Sequence, residues 1–262
     1  MPAWLAVTIL GIIEGVTEFL PISSTGHLLL VENAGWVPRQ SDLFNITIQS
    51  GAALAVLLAF GGRLHDLLGR LHERAARTYL MKLALAFAIT GVGGLVIKRL
   101  GWALPKETAP IAWATLIGGV AILLVEWSLR SRPAVWHVSW AMAGAVGLGQ
   151  LVAAVFPGTS RSAATILIIM LLGLSRPVAT EFSFLVGVPT LLAAGGLEMM
   201  QALHHPTGPP TDWGLLALGT AVSAVTAFAS VRWLLRWIQT HSFAGFGWYR
   251  VALGLILLTR LG

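Results

Sequence analysis

Residues 14–27 of the chain read Glu-Gly-Val-Thr-Glu-Phe-Leu-Pro-Ile-Ser-Ser-Thr-Gly-His. Proline and small hydroxyl residues here interrupt an otherwise apolar segment that extends over residues 1–33. Proline removes a backbone hydrogen bond and its ring clashes with the preceding turn, so it breaks a helix. The stretch therefore predicts a helix that stops near Pro21 and restarts within the same apolar segment.

The composition around this stretch is that of an integral membrane protein. Of the 262 residues, 56% are hydrophobic and only 11% are charged, against roughly 25% charged in an ordinary soluble domain. The net charge of +6 comes from Lys and Arg in short loops beside apolar spans, so we expect no nucleic-acid partner. Cysteine is absent, which excludes disulfides, a thiolate nucleophile and a Cys-ligated metal.

Six uninterrupted apolar segments are long enough to cross ~30 Å of hydrocarbon as helices of ~20 residues. They lie near residues 43–60, 79–99, 109–130, 181–200, 213–237 and 246–261. Another interrupted segment, residues 138–175, contains Phe-Pro-Gly-Thr-Ser-Arg-Ser at 156–162. Irregular backbone at membrane depth must be buried in protein or line a wet cavity. We predict an all-α integral membrane protein with about six transmembrane helices and two re-entrant helix-loop-helix segments facing the bundle interior.

The two interrupted segments are weakly alike. Superposing residues 11–25 on 147–161 at a constant offset aligns Gly11 with Gly147, Glu14 with Gln150, Pro21 with Pro157 and Ser24 with Ser160. Three spans separate the copies, so the second copy enters from the opposite face of the bilayer. We predict one membrane domain over residues 1–262, an inverted-topology repeat with halves of approximately 1–130 and 138–262, whose turns meet near the midplane.

Loop charges predict an orientation. Residues 61–82 carry five basic residues and residues 201–212 carry no Lys or Arg, so the positive-inside rule places the first loop in the cytoplasm and the second outside. Lys98, Arg99 and Lys106 fall on the outer side and weaken this pattern. Both termini would then lie outside. Glu126, Glu198 and Arg176 lie near span ends, and we expect them at the membrane interface.

The first interruption carries two carboxylates and a run of hydroxyls. Glu14 and Glu18 share a helix face at i, i+4, and together they either share a proton or hold Mg²⁺ or Ca²⁺. Solvation of Glu14 and backbone capping by Glu18 are the alternative. Ser23, Ser24 and Thr25 either cap the next helix or bind a phosphate at its N-terminus. His27 lies on the Ser24 face, as a general base or as a structural residue.

The second interruption carries a cation. Arg161 stands in an apolar segment between Ser160 and Ser162, with Thr165 one turn on, and a buried cation requires an anion. Arg recognises phosphate through two parallel N–H···O bonds. Two opposed helix N-termini with Arg161 therefore predict a pyrophosphate cradle. The alternative is that Arg161 only neutralises Glu14 or Glu18.

With these residues the sequence resembles the undecaprenyl-diphosphate phosphatase family of the bacitracin-resistance type, over nearly the whole chain. The resemblance is carried by residues 14–27, by Pro-Gly-Thr-Ser-Arg-Ser at 157–162 with Thr165, by Gly-Leu-Ser-Arg at 173–176 running into Glu-Phe-Ser-Phe at 181–184, and by Tyr249-Arg250. Ala163 departs from the Gly that the family usually has after Ser-Arg-Ser.

The resemblance implies removal of the terminal phosphate from a C55 polyprenyl diphosphate in the bacterial plasma membrane, which recycles the lipid carrier for cell-wall synthesis. It implies an active site that faces the external side. The catalytic residues would be Ser24, Glu18, Glu14, His27 and Arg161. Ser24 would be the nucleophile and Glu18 or His27 the base, with direct attack by water as the competing route. Glu14 and Glu18 would hold Mg²⁺ or Ca²⁺, and the substrate would contact Ser23, Thr25, Ser160, Ser162, Thr165 and Gly158.

Two other functions stay open from the sequence. Broken helices in an inverted repeat are also a transporter architecture, so a polyprenyl-phosphate transporter or flippase is one alternative. An intramembrane serine protease with a Ser24–His27 pair is the other. Membrane lipids surround the chain in each case, and a homodimer is compatible with all three.

Overall fold

The structure is a computed structural model that describes residues 1–101, 107–130, 133–204 and 210–259. Within these residues the chain forms eleven α-helices and no β-strand, which confirms the all-α prediction. The helices are α1 (Ala3–Thr17), α2 (Ser24–Asn33), α3 (Asp42–Ala59), α4 (Gly61–Gly69), α5 (Arg74–Arg99), α6 (Thr108–Ser128), α7 (Trp140–Val155), α8 (Arg161–Leu171), α9 (Arg176–His204), α10 (Trp213–Trp237) and α11 (Ala244–Thr259).

Five of the helices, α3, α5, α6, α9 and α10, are long and apolar enough to cross a membrane. The sixth predicted span, 246–261, corresponds to α11, and its last two residues lie outside the described part of the chain. An exposed apolar stripe at helical spacing marks the outer face of α6, formed by Trp113, Ile117, Val120, Leu124 and Trp127. A stripe of this kind is an unusual surface in water and an ordinary one in lipid. The chain is a multi-pass membrane protein.

Both interrupted segments break where the sequence predicts. α1 ends at Thr17 before α2 begins at Ser24, and α7 ends at Val155 before α8 begins at Arg161. Each restarting helix is capped by a serine in left-handed backbone, Ser23 with φ of 75° and Ser160 with φ of 71°. A non-glycine residue seldom adopts such a φ. Each cap hydroxyl accepts a 3.2 Å hydrogen bond, from the backbone N–H of Gly26 or Ala163.

The packing of the helices pairs the two halves. α1 packs on α10 and α7 packs on α5, while α3 packs on α9 and α6 on α11. Gly11 and Gly147 hold equivalent positions, because a Cβ on either would lie 2.7 or 2.8 Å from a backbone oxygen of the partner helix. Both capping serines, Ser23 and Ser160, precede the first residue of a helix, so the structure matches Ser24 with Arg161. The constant-offset superposition matches Ser24 with Ser160, which differs by one residue. The inverted repeat stays a prediction, and these correspondences support it.

One guanidinium ties the two turns to the rest of the fold. Arg250 of α11 is fully buried. Its N–H groups donate to backbone carbonyls of both turns and of α6, those of Pro21 at 3.2 Å, Gly158 at 2.9 Å, Thr159 at 3.0 Å, Ala114 at 3.0 Å and Thr115 at 3.2 Å. Turn carbonyls lack helical partners and need donors where water is excluded. Arg250 supplies those donors to both turns at once.

The expected interfacial position of Glu126 and Arg176 stays a prediction, but the structure shows what the Glu126 carboxylate binds. This carboxylate is buried at 4% exposure and pairs with Arg176, from which it accepts hydrogen bonds through both oxygens. It also accepts from the backbone N–H of Phe243 at 2.8 Å. The pair therefore joins α6 to the start of α9 and to the segment before α11, which the positions of these residues in the sequence do not indicate.

Replacing Arg250 by lysine should destabilise the protein although the charge is kept. Lysine offers three donors around a point charge in place of the five N–H groups of a rigid fork, so carbonyls of at least one turn lose their partners. Each stranded buried group costs about 1–3 kcal/mol. We expect Arg250→Lys to lower the thermal unfolding midpoint in detergent by several degrees, and Arg77→Lys on the exposed surface to leave it unchanged. Equal midpoints would show that the five hydrogen bonds do not hold the turns.

Candidate active site

Ser24 and Glu18 meet across the first turn. Glu18 is the C-cap of α1 and Ser24 begins α2, and Ser23, which has left-handed backbone, lies between them. The Ser24 hydroxyl donates a 2.5 Å hydrogen bond to Oε2 of Glu18, and both residues are buried. A hydroxyl bonded to a carboxylate is the arrangement of a nucleophile with its base.

Arg161 brings the second turn to the same carboxylate. Its Nη2 lies 2.9 Å and its Nε 3.3 Å from Oε1 of Glu18, and its guanidinium carbon lies 5.3 Å from the centre of the Phe19 ring. The remaining nitrogen, Nη1, is buried and has no hydrogen-bond partner among the described residues. Arg161 therefore does neutralise Glu18, as the alternative interpretation held, but it keeps a set of N–H donors for another anion.

Glu14 lies one helical turn before Glu18 and is fully buried. Neither of its carboxylate oxygens has a hydrogen-bond partner within the part of the chain that the structure describes. An unpaired buried carboxylate is costly, and either a proton or a bound cation relieves that cost. The described residues contain no cluster of three or more His, Cys, Asp or Glu side chains that would enclose a metal. Two carboxylates one helical turn apart would supply part of a ligand set for Mg²⁺ or Ca²⁺, since Mg²⁺ commonly binds one or two carboxylates together with substrate phosphates and water.

His27 is held away from the Ser24 hydroxyl. Its Nδ1 lies 2.6 Å from the carbonyl oxygen of Ser23, and its Nε2 lies 2.7 Å from the hydroxyl of Tyr249, on whose ring the imidazole stacks. A carbonyl only accepts, so Nδ1 carries a proton, and a neutral imidazole would accept from Tyr249 at Nε2. Ser24 and His27 therefore do not form the nucleophile–base pair that a serine protease needs.

The predicted substrate-binding residues divide into two groups. Ser23 and Ser160 cap the helices, and Gly158 gives its carbonyl to Arg250. The Ser162 hydroxyl donates to the carbonyl of Leu20 at 2.9 Å, and the Thr165 hydroxyl donates to the carbonyl of Arg161 at 2.8 Å and contacts the hydroxyl of Ser183. These groups bond to the protein itself, whereas the Thr25 side chain is exposed beside Ser24.

Three residues contribute to this site through contacts that their positions in the sequence do not indicate. Tyr249 and Arg250 belong to the motif near the end of the chain, but nothing in its spacing indicates contact with residues 21–27 or 158–159. Gly187 of α9 packs against Arg161, because a Cβ there would lie 1.8 Å from Nη1. Only a glycine leaves room for the guanidinium in this position.

The chain is similar to known proteins over nearly its whole length. Residues 7–256 match the family model described as bacitracin resistance protein BacA. The chain belongs to this family. Its relatives include proteins named undecaprenyl-diphosphatase from Xylella fastidiosa, 49% identical over 96% of both chains, and from Rhizobium etli, 47% identical over 97% of this chain and 96% of the relative. One from Xanthomonas axonopodis pv. citri is 48% identical over 98% of this chain and 97% of the relative.

Proposed function

We propose that this chain is an undecaprenyl-diphosphate phosphatase, which removes the terminal phosphate of a C55 polyprenyl diphosphate and returns the monophosphate carrier to peptidoglycan synthesis. The observation that carries the proposal is the Ser24–Glu18–Arg161 array at two facing helix N-termini, with Nη1 of Arg161 unpaired. Relatives with the printed name undecaprenyl-diphosphatase cover nearly the whole chain and support it. The same activity would confer bacitracin resistance.

The site has the parts that phosphoryl transfer requires. Catalysis of this reaction consists mainly of positioning and of stabilising charge on the phosphoryl oxygens. Nη1 of Arg161 and the first N–H groups of α2 and α8, which have no intrahelical partner, would bind those oxygens. Glu18, held by Arg161 through one oxygen, keeps its other oxygen on the Ser24 hydroxyl.

In the first step the Ser24 oxygen attacks the terminal phosphorus. Its proton passes to Glu18 while the bond between that phosphorus and the bridging oxygen breaks, and the polyprenyl monophosphate leaves with the proton from Glu18. In the second step water attacks the phosphoserine. Glu18 takes a proton from the water and returns it to the Ser24 oxygen as inorganic phosphate leaves. Glu18 acts as base in both half-reactions because it is the group in contact with the hydroxyl.

Glu14 and Glu18 would hold a divalent cation, Mg²⁺ or Ca²⁺. When bound, such a cation would neutralise charge on the phosphate oxygens. The support is the unpaired carboxylate of Glu14, which lies buried in α1 one helical turn before Glu18. His27, fixed between Ser23 and Tyr249, would orient the first turn and the substrate beside Ser24.

The protein would act in the bacterial plasma membrane with its site open to the external side. The five basic residues of 61–82 support a cytoplasmic position for that loop, and α1 and α2 would then enter from outside. The transporter alternative also predicts phosphate binding, but it gives no role to a hydroxyl bonded to a carboxylate. Phosphate release by the purified protein in detergent, where no second compartment exists, separates the two functions.

Removing the Ser24 hydroxyl should separate chemistry from binding. We expect Ser24→Ala to release no phosphate from a polyprenyl diphosphate while still binding it, because Arg161 and both helix N-termini remain. Ser128→Ala, which removes a hydroxyl bonded only within α6, serves as control and should keep full activity. Substantial phosphate release by Ser24→Ala would favour direct attack by water that Glu18 activates.

Replacing Arg161 by lysine should remove most activity although the charge is kept. A point charge does not reproduce a fork that holds Glu18 and the phosphate together. We expect about a 10–100-fold fall in kcat/KM, which corresponds to ~1.5–3 kcal/mol. Arg63→Lys alters the Arg63–Glu181 pair away from the turns and should retain activity. Near wild-type turnover in Arg161→Lys would mean that this residue only neutralises Glu18.

Glu14→Gln should raise the divalent-cation concentration that activity requires, since it removes one anionic ligand. Phosphate release would be measured against Mg²⁺ and against Ca²⁺. Glu32→Gln, which changes another buried carboxylate of the first interrupted segment, should leave the requirement unchanged. If Glu14→Gln shows the wild-type metal dependence, as the control does, Glu14 transfers protons instead of holding a metal.

A further inference from the structure

An apolar groove lies beside the first turn, between the end of α10 and the start of α11. It has a volume of about 300 Å³ and is lined by Ile22, Trp233, Trp237, Gly245, Phe246 and Tyr249. The rings of Trp233 and Trp237 stack with centroids 5.4 Å apart, and Trp233 meets Phe246 edge-on at 6.2 Å. Trp233 is 47% exposed and Tyr249 44% exposed, so the groove opens on the lipid-facing surface of the bundle.

The groove shares its wall with the candidate active site. Ile22 immediately precedes the capping residue Ser23, whose carbonyl holds His27, and the hydroxyl of Tyr249 holds the other nitrogen of the same imidazole. A molecule in the groove would therefore lie against the backbone that presents Ser24. The groove is apolar and the neighbouring turn is polar and charged. A lipid diphosphate has the same two parts, an apolar chain and a charged head group.

We propose that this groove binds the isoprene units nearest the diphosphate. The inference rests on the proposed function. Burial of apolar chain in a preformed groove gains free energy with each methylene, and flat double bonds suit the faces of aromatic rings. Binding of a non-reacting part of the substrate also positions the reacting part, so occupancy of the groove aligns the terminal phosphorus with Ser24.

Gly245 allows the groove to be filled. A Cβ added at Gly245 meets no atom within 4 Å, so a leucine there projects into open space instead of into the protein. Gly94 of α5 has the same open surroundings and does not line the groove, which makes Gly94→Leu the matched control. Trp233→Ala is the complementary change, because it removes one wall of the groove without touching the residues of the turn.

The experiment compares two diphosphates that share a head group, a C55 polyprenyl diphosphate and methyl diphosphate, which has no isoprene unit to enter the groove. We expect Gly245→Leu and Trp233→Ala to lower kcat/KM for the long substrate by about ten-fold while the value for the short substrate stays unchanged. Gly94→Leu should match the wild type on both substrates. Thermal unfolding midpoints of all variants identify any that fail to fold.

The outcomes separate this proposal from the proposed function. Equal losses on both substrates would mean that the changes act on the turn. No loss on either substrate would mean that the polyprenyl chain binds elsewhere. Either result would contradict the proposal that the groove binds the polyprenyl chain. Selective loss on the long substrate supports it. If the wild type releases phosphate from neither substrate, the proposed function fails, whatever the variants do.

Discussion

The arrangement of the two turns depends on the hydrogen bonds of Arg250. A chain that breaks twice in the interior of a membrane bundle exposes carbonyls that neither a helix nor water satisfies. One buried guanidinium supplies donors to three of these carbonyls and to two of α6, so both turns are fixed to the same group. Room for that group is made on α6, where a Cβ at Gly118 would lie 2.1 Å from Nη2 of Arg250.

The turns that Arg250 fixes end in the same kind of serine cap and carry complementary side chains. Ser23 and Ser160 adopt nearly the same left-handed φ and cap their helices in the same way. The next residue is Ser24 in one turn and Arg161 in the other, and both reach Glu18. A hydroxyl, a carboxylate and a guanidinium therefore come together from two segments, although neither segment holds all three.

The site retains buried polar groups without partners. Most proteins satisfy such groups, because each one left unpaired costs free energy. Here Nη1 of Arg161 and both carboxylate oxygens of Glu14 stay unpaired within the described residues, side by side with a satisfied Glu18. Unpaired polar groups on both sides of Glu18 are the feature on which the proposed binding of a diphosphate rests. By contrast, both carboxylate oxygens of the buried Glu126 accept hydrogen bonds, which favours a structural role for its pair with Arg176.

The sequence by itself determined the fold class, the positions of the two helix breaks and the group of residues at them, because apolar length and proline act locally. It also indicated Ser24, Glu18 and Arg161 through charges and hydroxyls that an apolar segment does not otherwise carry. Only the tertiary structure decided that Ser24 bonds Glu18 and that His27 bonds Tyr249. A hydroxyl or an imidazole can bond many different groups, and the packing of the helices decides which of them lies within reach. Residues 249–250 contact the turns from more than 90 positions away along the chain. Local pattern carries no information about such contacts, which arise when α11 packs against α6 and brings one guanidinium between the two turns.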